Sequence, residues 1–293
     1  MKNSFGDPEQ QAAIVLIEMA LAEDLQGSCD LTSVALVPDH QEGTVQIVAR
    51  QLGVVSGLAI IEDVYSKLDP SVSIDLLCRD GEMVMPGRVL ANVQGSVQSL
   101  LTGERTVLNF LTALGGVATL TRQFVDAVDG TRAKILDTRK TWPGWRTLQK
   151  YAVRCGGGTN HRLGLYDGIL IKDNHLAAWR NEAPDGSVSA AIRESRKRWP
   201  GKPVEVEVDT LTQLQDALHE TPEIVLLDNM KPAQLREAVT IRDRAAPKVQ
   251  LEASGGVNLS TIREIALTGV DRISVGALTH SAPAFDVAFD WGA

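Results

Sequence analysis

From about residue 134 onward the sequence repeats one pattern: a short apolar run, a polar residue at its end, then a segment of helical period. The apolar runs are AKILDT, GILIKD, PVEVEV, EIVLLDN, VQLEAS and DRISVG, and TLTQLQDALHE, PAQLREAVTIRDRA and NLSTIREIALTG separate the later ones. Strands that alternate with helices pair in parallel through right-handed crossovers, which commits this half of the chain to an α/β architecture. Only six runs qualify, so the pattern predicts an irregular, incomplete α/β barrel rather than a regular eight-stranded one. In such barrels the chemistry sits at the C-terminal ends of the strands. Here those ends carry Asp137 to Lys140, Lys172 and Asp173, Glu207 and Asp209, Asp228 and Asn229, Ser254 to Gly256, and Gly276.

The first half reads differently. Apolar residues at helical spacing predict a helix over 7–25, with Asp7 as its cap, Pro8 in the first turn and Gln10 completing a capping box. Between about 43 and 97 the runs TVQIVAR, VSIDLLC and RVLANVQG are β-like and punctuated by Gly and Pro, as in an α+β layer domain. A second long helix, expected over about 102–128, links the halves.

Charge is distributed unevenly. Residues 131–180 hold ten Lys/Arg against three Asp/Glu, while the whole 293-residue chain is at −8. Cations crowded together on an acidic protein repel one another unless an anion is present, so this segment points to anionic ligands. The overall acidity argues against nucleic-acid binding. No apolar run reaches about 18 residues, the length a membrane helix needs, and the N-terminus lacks a secretory pattern. Cys29, Cys78 and Cys155 are too few and too scattered for a disulfide framework or a zinc site, in keeping with a reducing cytoplasm. Cys155, beside Gly156–Gly158, reads as a packed small residue rather than a nucleophile.

The strand ends suggest specific chemistry. Glu205 and Glu207 alternate with valines, so both point to one face of their strand. Inside a barrel they need cations: lysine or arginine, a metal, or both. Asp228 ends the next strand and is placed to join Glu207 in holding Mg²⁺, directly or through substrate and water, since Mg²⁺ takes few protein carboxylates. The rival reading is an interior salt-bridge network with Lys140 and Lys172. The ASGG turn, Ala253 to Gly256, before a helix starting near Leu259, offers N–H groups to an anion. Val275 and Gly276 follow the last strand, completing the position where barrels bind phosphate. Arg139, His161 and Arg162 supply donors for planar anions, the guanidinium groups being able to grip carboxylates through paired bonds. His175 and His280 are candidate supporting groups. No Ser–His–Asp arrangement, Walker A loop or strand-linked GxGxxG appears.

These residues resemble one family, the quinolinate phosphoribosyltransferases. The likeness runs from AEDLQGSCDLTS (22–33), GVVSG (53–57) and GERTVLNFL (103–111) through DTRKT, KYAVRCGGGTNHRLGLYDGILIKDNH, VEVEV, LLDN and EASGG to VGALTHSAPAFDVAFDW. It implies an N-terminal α/β sandwich domain (1–115, rejoined by 280–293) and an irregular, incomplete α/β-barrel domain (116–279). It also implies Mg²⁺, and a homodimer or larger assembly acting on quinolinate and phosphoribosyl pyrophosphate, with no nucleic acid or membrane involved. By the same resemblance Arg105 serves the neighbouring subunit's site, Arg139, His161 and Arg162 surround quinolinate, and Thr138 and Val275 are further substrate-binding residues. Lys140 and Lys172 lie between the two substrates, Glu207 and Asp228 approach the ribose and metal, and Ser254, Gly255, Gly256 and Gly276 hold the 5′-phosphate. Trp142 and Trp145 depart from the family's pattern, and packing is the expected reason. The alternatives are a paralogue using another anionic substrate and a quinolinate-binding protein without turnover.

Overall fold

The computed structural model describes residues 4–182 and 186–291, so the last two residues of the C-terminal segment lie outside it. Contacts divide the chain into two compact units. One is Met1–Arg122 with Lys140–Gly158 and Leu278–Ala293; the other is Gln123–Arg139 with Thr159–Ala277.

Strands of the first half are β1 (Glu42–Ala49), β2 (Gly53–Val54), β3 (Ser73–Leu76), β4 (Met83–Val84) and β5 (Val89–Ser96). Those of the second are β6 (Lys134–Leu136), β7 (Ile169–Ile171), β8 (Val204–Val208), β9 (Ile224–Asp228), β10 (Gln250–Ser254), β11 (Arg272–Ser274) and β12 (Val287–Trp291).

The first unit is built on an antiparallel sheet of order β12-β1-β5-β3. Ile47 of β1 sits opposite both Ala91 of β5 and Phe289 of β12, so the C-terminal strand completes this sheet. Buried residues Leu100, Val107, Leu111, Leu114 and Ala118 form one stripe of the helix Val97–Ala127. That helix starts earlier than its apolar pattern predicts. Gln98 donates to Val37 O and Asp39, and Ser99 to Asp69, so these polar residues anchor the first turn instead of ending it. Gly115 and Gly116 let the C-terminal segment lie against this helix: a Cβ on Gly116 would sit 2.1 Å from Pro283 O. Phe285 N donates to Thr112 O there, at 2.9 Å.

The helix Asp7–Leu25 is capped differently from the expectation. Gly6 is its N-cap, and the Glu9 carboxylate accepts from Gly6 N at 3.0 Å. Gln10 instead donates to Asp63. Trp145 stacks on Phe110 at 5.0 Å and meets Trp142 edge-on at 5.7 Å, so the two indoles pack against aromatic neighbours as expected.

The second unit holds all six expected strands in one parallel sheet, ordered β6-β11-β10-β9-β8-β7. Its first two strands in the chain lie at opposite edges, the order of a barrel whose ends are not zipped together. β8 shows why the sheet is stable. Val204, Val206 and Val208 are fully buried on the side where the helices Val188–Arg198 and Leu211–Leu218 pack, each worth about 1.5–3 kcal/mol of apolar burial. Thr210 and Gln213 form a capping box at the start of the second of these helices. Glu205 and Glu207 point to the opposite, interior face. Among the described residues no helix is long and apolar enough to cross a membrane.

Candidate active site

Parallel pairing brings the ends of all six strands of the second unit to one rim. Ser254 is level with Asp228 and Val208 with Leu227, so the acids of β8 and β9 and the turn after β10 share that rim. Thr138 and Arg139 follow β6, Lys172 follows β7, and Val275 and Gly276 follow β11, where Val275 N donates to Leu136 O at 2.9 Å.

Two guanidinium groups lie close together at this rim. The Arg162 guanidinium is held below its usual range by burial first and by the Arg139 charge second. Arg162 Nη1 donates to Gly168 O at 2.9 Å. Arg139 Nε is buried without a hydrogen-bond partner, and among the described residues neither arginine makes an ion pair. A buried cationic donor without an acceptor costs roughly 1–3 kcal/mol or more, which an anionic ligand would recover.

Beside them lies a buried cluster. His161 Nε2 is 3.1 Å from Glu205 Oε2 and 3.4 Å from Glu252 Oε1, and its Nδ1 accepts from Arg162 N at 2.7 Å. Asp137, fully buried, holds the same loop by accepting from His161 N and from Asn160 Nδ2. Arg272 Nε and Ser274 Oγ both donate to Glu252. Burial opposes the imidazolium, but hydrogen bonds and charge from the two carboxylates outweigh it and push the group up to about 9. The Arg162 N–H pulls the other way, because protonating Nδ1 breaks that bond. Burial opposes ionisation of Glu252 too, but His161 and Arg272 hold its carboxyl below the usual range; burial pushes Glu205 up. The three ligand atoms lie within 4.8 Å of one another, a spacing a metal could span. His161 and Arg272 already serve the carboxylates here, so the cluster needs no ion. Both ring nitrogens of His161 thus face protein groups, and its bond to Arg162 is made to that residue's backbone N–H.

The remaining acids form a second group. Lys172 Nζ pairs with Glu207 Oε2 at 2.5 Å, which realises part of the expected salt-bridge network; Glu205 takes His161 rather than a lysine. Burial raises the Asp228 carboxyl, and the charges of Glu207 and Asp209 add to the effect. Two or three mutually repelling carboxylates with one exposed lysine fit a hard cation that shares substrate oxygens, so Glu207 and Asp228 suit Mg²⁺. His175 Nδ1 accepts from Lys172 N at 3.0 Å and fixes the turn that carries the lysine. His280, in the first unit, bonds Ser281.

The turn after β10 is glycine for a reason. Gly255 has φ +97, and a Cβ there would fall 2.1 Å from Asn229 Oδ1; Gly256 has φ +60 and opens to free space. The following helix is shorter and later than expected, Ile262–Ala266 rather than starting near Leu259. Asn258 Oδ1 accepts from Ser260 N and Thr261 N and so holds these residues in a turn.

Arg105 and Lys140 belong to the first unit. Arg105 is exposed on the helix Val97–Ala127, and the Lys140 carbonyl accepts from Thr279 Oγ1 at 2.7 Å. Sequence reasoning named Asp137 and Asn229 only as strand-end residues and left out Glu252 and Arg272. Glu252 was detectable by the same alternation that exposed Glu205, since VQLEAS sets it opposite two apolar neighbours.

Fold and site define an α/β-barrel protein whose rim carries two neighbouring arginines without ion pairs among the described residues. Residues 117–290 match the model of the quinolinate phosphoribosyl transferase C-terminal domain, and residues 30–114 that of the N-terminal domain. The chain belongs to the quinolinate phosphoribosyltransferase family. It is similar to the nicotinate-nucleotide pyrophosphorylase [carboxylating] of Mycobacterium leprae, 48% identical over 286 residues, 97% of this chain and 99% of that protein. A probable enzyme of the same name from Bacillus subtilis is 42% identical, covering 94% of this chain and 92% of that one. The solved nicotinate-nucleotide pyrophosphorylase from Francisella tularensis superposes with a TM-score of 0.89 at 38% identity, covering 96% of each chain.

Proposed function

We propose that the protein transfers the phosphoribosyl group of phosphoribosyl pyrophosphate to quinolinate with decarboxylation, giving nicotinate mononucleotide, pyrophosphate and CO2 for NAD biosynthesis. The observation that carries this is the unpaired arginine couple, Arg139 and Arg162, beside a separate glycine turn: one grips a diacid, the other a sugar phosphate. The pyridine nitrogen bonds to the anomeric carbon as the bond to pyrophosphate breaks, and pyrophosphate leaves with the electron pair. The quaternised ring then accepts the pair released when the neighbouring carboxylate departs as CO2, and that ring carbon takes up a proton.

Arg139 and Arg162 bind and orient the carboxylates, and Thr138 lines the same strand end. His161 steadies Arg162 by accepting its backbone N–H. Lys172 balances charge as pyrophosphate leaves. Glu207 and Asp228 face the ribose, where positive charge develops, and fixed carboxylates stabilise it. Ser254, Gly255, Gly256, Val275 and Gly276 hold the 5′-phosphate. Glu207 and Asp228 would hold Mg²⁺, which would stabilise the charge of the departing pyrophosphate.

The protein works in the cytoplasm as a homodimer or larger assembly, with Arg105 completing the neighbour's site. Mixing Arg105→Ala with Lys172→Ala protein then restores part of the activity, and no recovery would count against a shared site. Incubation with quinolinate, phosphoribosyl pyrophosphate and Mg²⁺ releases CO2 and forms nicotinate mononucleotide. Turnover of nicotinate alone would instead reveal a paralogue, and quinolinate bound without product a binding protein.

A further inference from the structure

We infer that Asn229 is a positioning residue that ties the Asp228 carboxylate to the Ala253–Gly256 turn, so that seating a phosphate in the turn and aiming Asp228 at the sugar become one event. The inference rests on the reaction proposed above and names a residue that its contact list does not contain. Three bonds and contacts converge on Asn229. Its backbone N–H donates to Ser254 O at 2.9 Å. Its side-chain Nδ2 donates to Asp228 Oδ2 at 2.6 Å. Its Oδ1 fills the space beside Gly255 that a Cβ would need, 2.1 Å from the Cβ position.

The backbone explains why the residue is asparagine. Asn229 adopts φ 53, the left-handed region that only Gly, Asn and Asp enter at low cost. This conformation swings the chain off the end of β9 and turns the side chain back over Asp228. Aspartate would fit the same backbone, but it lacks the amide donor and would add a carboxylate where Asp228 already feels Glu207 and Asp209. Glycine would keep the backbone and remove both side-chain contacts. The residue is exposed, so it adds little to core packing; what it contributes is the link between an acid and a turn on adjacent strands, whose Ser254 and Asp228 are paired in register.

The link has a consequence for ligand binding. When a phosphate occupies the turn, Gly255 and Ser254 are fixed, Asn229 is fixed through them, and its amide holds one oxygen of Asp228. The other oxygen is left to face the ribose. Without the amide, Asp228 is free to swing toward solvent, because the acids around it repel it.

The test uses Asn229→Gly, which keeps the left-handed backbone and so preserves the fold. Steady-state kinetics should show KM for phosphoribosyl pyrophosphate raised about 10-fold or more, the size expected for losing a hydrogen bond to a charged group. Calorimetric affinity for quinolinate should stay within about twofold, a split that general destabilisation would not produce. Placing Asn229→Gly on Asp228→Asn should add no further loss, since the amide acts through that carboxylate. Wild-type affinity for phosphoribosyl pyrophosphate in Asn229→Gly, equal losses for both substrates, or multiplying losses in the double variant would each overturn the inference. Failure of the wild type to turn over quinolinate would sink the reaction instead. Calorimetry with ribose 5-phosphate then decides the inference alone: it stands if Asn229→Gly weakens wild-type binding, and falls if binding is unchanged or absent in the wild type.

Discussion

Arg162→Ala separates a ligand-binding role from a structural one, because the two have different signatures in stability and affinity. In the free protein the Arg162 guanidinium gives one hydrogen bond to Gly168 O, and burial and the neighbouring Arg139 both work against its charge. Removing it forfeits that bond and the attraction of Glu205 and Asp167 but relieves the repulsion on Arg139 and the cost of burying the charge. These changes oppose each other, so the net effect on folding should be about 1 kcal/mol or less, a shift in Tm of roughly 2–4 °C. Binding is another matter. Losing one partner of a desolvated guanidinium–carboxylate pair costs about 2–5 kcal/mol. At about 1.4 kcal/mol per factor of ten, quinolinate should bind some 30-fold to several thousand-fold more weakly. Calorimetric titration with quinolinate and thermal melts of the same preparations supply both numbers. Arg162→Lys should recover only part of the affinity, because it restores the charge and not the paired donors. An Arg162→Ala protein that melts far lower yet binds quinolinate as the wild type does would refute the reasoning and leave Arg162 a structural residue.

Three further outcomes follow from the site and its surroundings. His161 is raised to about 9 by Glu205 and Glu252 against the opposition of burial, so its stabilising contribution is fully present below the free imidazole value of about 6.5 and is lost as pH rises through about 9. The difference in Tm between wild type and His161→Gln should therefore shrink between those pH values, and a pH-independent difference would mean that the Arg162 N–H keeps the ring neutral. Gly255→Ala forces a Cβ onto Asn229 Oδ1 in a left-handed conformation, so it should cost about 1–3 kcal/mol and weaken phosphoribosyl pyrophosphate binding; unchanged melts and kinetics would remove the close approach from the argument. Burial pushes the Cys155 thiol up to about 11, with Asp80 adding to the effect, so at pH 8 a thiol reagent should label exposed Cys29 and leave Cys155 intact until denaturant is added.

How much of this was legible in the sequence depended on whether a feature is local. The six parallel strands were readable because apolar runs, helical periods and polar end residues all lie within a few positions of one another. Glu205 and Glu207 were readable as interior acids from alternation alone. Of their partners Lys172 was foreseen and pairs with Glu207, whereas His161 meets Glu205 and Glu252 from a loop, through contacts separated by 44 or more positions. The capping of Asp7–Leu25 failed locally for a simpler reason. Glu9 and Gln10 are both plausible capping-box residues, and Gln10 was drawn away by Asp63, 53 positions distant.

The charge pattern carries the deepest distinction between what a sequence can and cannot show. Counting residues reveals a basic segment on an acidic chain, but not which cations are already spoken for. In the structure Lys172 serves Glu207 and Arg272 serves Glu252, while His161 stands between Glu205 and Glu252. Each of these cations is matched by an interior carboxylate. Arg139 and Arg162 are left over, near enough for each to feel the other's charge, and neither forms an ion pair among the described residues, although Glu205 and Asp167 partly offset the charge of Arg162. A protein that neutralises its interior acids so consistently, and then leaves two guanidinium groups in repulsion, has placed an unfavourable interaction where a dianionic ligand would remove it. The affinity for a diacid should accordingly fall with added salt, whereas the stability set by the paired, buried groups should change far less.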